Sequence, residues 1–67
     1  SLDWYMKALA SDPDHLGANE YLGELYVQTG KMDKADEQLK KLESLCPFGC
    51  EELDDLKEAM AAAGKQN

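Results

Sequence analysis

The stretch LGELYVQTGKMDKADEQLKKLESLCP, residues 22–47, decides how the chain folds. Its first part continues a pattern that begins upstream, with apolar side chains at Leu16, Ala18, Tyr21, Leu22, Leu25, Tyr26 and Val27. Steps of three and four trace one stripe of an α-helix. Gly30 stops that stripe. A second begins at Ala35 and runs through Leu39, Leu42 and Leu45, with Asp33 placed to cap its start. Pro47 and Gly49 interrupt again. Working outward, Leu53, Leu56, Ala59 and Met60 make a third stripe that ends at Gly64. Leu2 to Ala10 reads as a further helix, closed by Asp12-Pro13. No stretch alternates as a strand would.

The four helices recur at a fixed distance. Pro13 and Pro47 lie 34 residues apart, as do Tyr5 and Leu39, Ala8 and Leu42, Leu22 and Leu56, and Gly30 and Gly64. A constant period in this range marks a stacked-repeat architecture. One helical hairpin cannot bury its apolar face alone, whereas stacked neighbours bury it jointly. With Leu22-Gly23-x2-Tyr26, Ala35-x3-Leu39 and Pro47, the central unit resembles the tetratricopeptide repeat. Asn19 and Leu39 stand where that repeat more often has aromatics. The resemblance implies an all-α helical-hairpin solenoid of four antiparallel helices in a single domain. Residues 1–13 would be the second helix of a preceding repeat, 14–47 a complete repeat, 48–64 a C-terminal capping helix and 65–67 a frayed tail. Lys57, Glu51 and Glu52 stand at the positions equivalent to Gly23, Gly17 and Ala18, which puts charge where another helix would have to pack. Within the repeat, Gly23 and Ala35 are expected to permit close helix approach, while Tyr26, Leu39 and Leu42 fill the layer between.

Composition narrows the function. Fourteen acids face seven lysines and no arginine, a formal charge of -7. Nucleic acid is thereby disfavoured as a partner, since phosphate contacts need clustered cations. An anionic membrane surface is disfavoured equally, and no apolar run approaches the ~20 residues of a membrane span. Nothing in the chain forms a phosphate loop, a cofactor motif or a Ser-His-acid or Cys-His constellation. His15, the one histidine, sits at an expected helix start, where a structural or solvent-facing role is the ordinary one. The paired acids Glu51-Glu52 and Asp54-Asp55 are sequence neighbours, so the members of each pair project differently. A non-catalytic protein without cofactor is expected.

The two cysteines, Cys46 and Cys50, flank a turn between two helices. A redox centre would more often be C-x-x-C beside a βαβ unit, and a zinc site needs four ligands. A disulfide or two free thiols remain. The span permits the bridge if the turn is tight, and two cysteines at one turn tilt the reading towards an oxidising compartment. The C-x3-C-E-E turn also resembles the ends of certain bacterial tetratricopeptide proteins, many of them exported, which tilts localisation the same way.

The resemblance further implies that a peptide or partner helix binds a concave groove lined by the first helix of each repeat. Once the core positions of that helix are set aside, Gly17, Asn19, Glu20, Glu24, Val27 and Gln28 are the candidate groove residues, with Asn19 near the rim. This face is acidic with a small apolar patch. It lacks the cations with which chaperone-binding members clamp a peptide carboxylate, and a basic or neutral segment with an apolar anchor suits it better. The competing reading is a structural accessory subunit docked onto a larger assembly, or self-association through the repeat ends. Trp4 and Tyr5 would then be interface residues.

Overall fold

The computed structural model describes residues 2–64. Four helices follow in order: α1 (Leu2–Ser11), α2 (Leu16–Gln28), α3 (Met32–Leu45) and α4 (Glu51–Gly64). No strand occurs among the described residues, and the fold is the expected all-α array of helical hairpins. The expected tail at 65–67 lies outside the described residues. None of the described helices is long and apolar enough to cross a membrane.

α2 is the hub, packing against α1, α3 and α4, while α3 also packs on α4. The tightest packing is built from small residues. Ala18 and Ala35 are fully buried. A methyl added at Gly23 would sit 2.7 and 2.9 Å from the two terminal carbons of Leu56 and 3.3 Å from Gln38 Cβ. The glycine therefore admits Leu56 from α4. Leu42, Leu53 and Leu56 form the buried cluster, with Leu16, Val27, Leu39 and Met60 packed around it. Each fully buried leucine contributes roughly 1.5–3 kcal/mol. Leu22, Leu25 and Tyr26 are only half-buried, and so is Leu39. Leu39 packs against the leucine cluster and Leu42 is fully buried, as expected, while Tyr26 is half-buried and is not among the residues packed on that cluster.

The three turns stop and restart the helices by distinct means. Asp12 Oδ1 accepts from the Asp14 N–H at 3.1 Å, and the His15 N–H donates to the Asp12 carbonyl at 3.1 Å. His15 is the N-cap of α2, its Nδ1 accepting from the Ala18 N–H at 3.0 Å. An imidazole here does the work usually given to Ser, Thr, Asp or Asn. At the other end of α2 the Lys31 N–H reaches the Tyr26 carbonyl at 2.8 Å and the Gly30 N–H the Val27 carbonyl at 3.1 Å. This is a Schellman closure, which needs the left-handed φ of +77° at Gly30. α3 then starts on Lys31, which supplies no side-chain cap. Asp33 does not cap the helix as expected. It lies inside the first turn, where its charge acts on the helix dipole. The third turn carries the cysteines. Cys46 closes α3, and the Gly49 N–H bonds back to the Cys46 carbonyl at 2.9 Å. The Cys50 carbonyl accepts the N–H of Asp54 at 3.1 Å and opens α4. Gly49 takes φ +95°.

Candidate functional site

A cavity of about 360 Å³ opens between α2 and α4, lined by Glu24, Val27, Gln28, Ala59, Ala62 and Ala63. Its floor is small and apolar because α4 ends in a run of alanines. Glu24 and Gln28 stand one helical turn apart on the α2 wall. Three of the candidate groove residues, Glu24, Val27 and Gln28, are therefore brought together. Val27 also packs against the leucine cluster.

The other three candidates fall elsewhere. Glu20 lies one turn before Glu24 and faces α4. Burial, first, then a hydrogen bond with the Glu24 carboxyl and the charges of Glu24, Asp55 and Glu52 push its carboxyl from 4.5 up to about 8. Burial and the facing carboxyls thus favour the protonated form of Glu20. Gly17 sits beside the cap, where a methyl would come 3.3 Å from His15 Cε1. Asn19 is not at a rim. It is 1% exposed, which removes it from any groove surface. Its Nδ2 donates to the Pro13 carbonyl at 2.9 Å and the His15 carbonyl at 2.8 Å, while its Oδ1 accepts from Gln38 Nε2 at 3.0 Å. The amide ties the 12–15 turn to α2 and α3, and a fully bonded amide is the form in which a polar group is buried cheaply.

Ala59, Ala62 and Ala63, and the acids Glu52 and Asp55, were missed from the site by reasoning on the repeat's own first helix. A signal was present. The 34-residue period maps Ala62 onto Gln28, itself a candidate groove position, and Glu52 and Asp55 are three apart, the spacing that puts two side chains on one helix face.

Cys46 and Cys50 are joined by a disulfide with their Cα atoms 6.0 Å apart. It links the end of α3 to the start of α4, the helix that forms one wall of the cavity. Phe48, at the turn's tip, is 102% exposed. Tyr5 stacks on Tyr21 with centroids 4.0 Å apart and planes 9° from parallel, so it helps hold α1 on α2. Trp4 meets Tyr5 edge-on at 5.0 Å and His15 at 6.2 Å, yet remains 57% exposed. Among the described residues no group of three or more His, Cys, Asp or Glu is placed to hold a metal ion.

Stacked hairpins sharing a core and leaving a groove between first helices define a helical-repeat protein. Residues 21–48 match the family model of the tetratricopeptide repeat, and the chain carries such a repeat. Repeats of this kind generally mediate protein–protein binding, and the family is typically non-catalytic. No curated protein and no solved structure matches the chain.

Proposed function

We propose that the chain is a non-catalytic binding module that takes a peptide or partner helix in the groove between α2 and α4. The observation that carries this reading is the open cavity itself, with an alanine floor and a polar wall of Glu24 and Gln28. Small floor residues let a ligand backbone approach closely, and Val27 offers an apolar contact. The acids beside it favour a basic or neutral segment over an acidic one. Ala62 is exposed at the edge of the cavity, so Ala62→Trp fills the groove without entering the core. A random peptide library displayed on phage should yield binders to the parent protein that fail on Ala62→Trp. Binders that ignore the substitution would defeat the reading.

A second reading has its own observation. Trp4 and Met6 are exposed on α1, at 57% and 49%, and α1 packs on α2 alone among the helices. An accessory subunit, or a self-associating one, would dock through that edge. Size-exclusion chromatography of the parent and of Trp4→Glu tests self-association, which is ruled out by a monomer in both.

A further inference from the structure

Residues 46–50, Cys-Pro-Phe-Gly-Cys, form a closed and stiffened turn. The disulfide joins its ends with Cα atoms 6.0 Å apart, Pro47 fixes its own φ, and the Gly49 N–H bonds back to the Cys46 carbonyl at 2.9 Å. Phe48, the chain's one phenylalanine, stands fully exposed at the tip. The cavity lies at the other end of the molecule. α4 runs parallel to α2, since Gly23 meets Leu56 while Val27 and Gln28 share the cavity with Ala62 and Ala63. At about 1.5 Å of rise per residue, the alanines at 59–63 stand roughly 12–18 Å beyond Glu51, the first residue of α4. Phe48 therefore does not reach the groove of its own copy.

We infer that the groove between α2 and α4 takes the Phe48 turn of a second copy of this chain. This rests on the groove-binding reading above and names its occupant. The groove suits a neutral segment with an apolar contact, and residues 46–50 carry no charge while Phe48 is such a contact. A cavity of about 360 Å³ admits one aromatic ring, seated between Val27 and the alanine floor. The flanks are complementary in charge. Glu51 and Asp54 follow the turn and are exposed, and Lys31 and Lys34, also exposed, follow Gln28 at the groove end. Head to tail, the first turn of α4 in one copy meets the turn of residues 30–34 in the next. The disulfide ring holds Phe48 in position before docking, which lowers the ordering cost of insertion. Turn and groove sit at opposite ends, so the contact does not close on itself and copies add in rows. One phenylalanine buries about 150–250 Å², against about 800 Å² per partner in a standard interface. The association is accordingly weak and grows with concentration.

The test is sedimentation equilibrium of the full chain without reductant, in about 0.15 M salt so that the net charge of -7 is screened. The parent should gain weight-average mass with concentration, to about 1.5-fold the monomer or more near ~1 mM. Phe48→Ala removes the anchor and Ala62→Trp fills the groove. Both positions are exposed, so the fold is kept, and thermal melts of each variant verify it. Either variant alone should stay monomeric at every concentration. Mixed in equal amounts they should form a one-to-one complex that grows no further, since one supplies an intact turn and the other an open groove. Trp4→Glu should associate as the parent does. Association that survives Phe48→Ala or Ala62→Trp, or variants that do not combine on mixing, overturn the self-docking. A parent that stays monomeric overturns it too. Library peptides blocked by Ala62→Trp would then leave the groove reading standing, and their absence would overturn that reading as well.

Discussion

Replacing Gly23 by alanine should destabilise the protein, although alanine is the better helix former. The added methyl would meet the Leu56 terminal carbons at 2.7 and 2.9 Å and Gln38 Cβ at 3.3 Å. Carbon atoms settle at about 3.5–4.0 Å, so Leu56 must retreat by close to ~1 Å. It has little room to do so, being fully buried among Leu42 and Leu53. Overpacking of this kind costs about 1–3 kcal/mol, against a propensity gain of about 1 kcal/mol. The net loss is about 1 kcal/mol. In urea, with a slope of roughly 1 kcal/mol/M for a small domain, the midpoint should fall by about 1 M. Gly64→Ala is the control, since a methyl there meets nothing within 4 Å. It should be neutral or slightly stabilising. Leu56→Val removes the carbons that clash, so in that background Gly23→Ala should become neutral or stabilising, with a coupling of at least about 1 kcal/mol. If Gly23→Ala raises the midpoint as Gly64→Ala does, the close approach of α2 and α4 is wrong.

Reduction of the Cys46–Cys50 bridge should also be visible. A closed loop of five residues corresponds to about 2 kcal/mol of chain entropy, so thermal melts followed by circular dichroism should drop by about 10 °C with a phosphine reductant, and an unchanged melt would show that the bridge does not restrain the native turn. Asn19→Asp places a carboxylate oxygen against the Pro13 and His15 carbonyls and should cost about 2 kcal/mol or more at neutral pH, with partial recovery on acidification. Glu20 sets a pH dependence of stability whose sign follows from its raised value: its contribution is fully present below 4.5 and is lost as pH rises through about 8. Melting temperatures across that window should fall less steeply in Glu20→Gln, and equal slopes in the two proteins would refute the carboxyl cluster.

The helices were legible because their signals are local. Leu22, Leu25 and Tyr26, or Ala35, Leu39 and Leu42, reveal a helix by spacing alone, and Gly30 and Pro47 end helices through their own backbone chemistry. The repeat was legible for a related reason, since stacking requires the same residue sizes to recur every 34 positions. Half of the groove, Glu24, Val27 and Gln28, could be named by subtracting core positions from one helix. Tertiary structure decided the rest, because it depends on what a second helix brings. Asn19 has the composition of a surface residue, and only the carbonyls of Pro13 and His15 and the amide of Gln38, converging on one point, make it a core residue. Asp33 sits two residues inside the helix it was expected to cap, because the Schellman turn at Gly30 hands the chain to α3 already at Lys31. The alanine wall of the groove, and the Asp55 and Glu52 charges that add to the burial and the Glu24 contact in raising the Glu20 carboxyl, come from α4, about one repeat away in sequence. Local spacing records which residues share a face of one helix, and only the packing of α4 on α2 determines what that face meets.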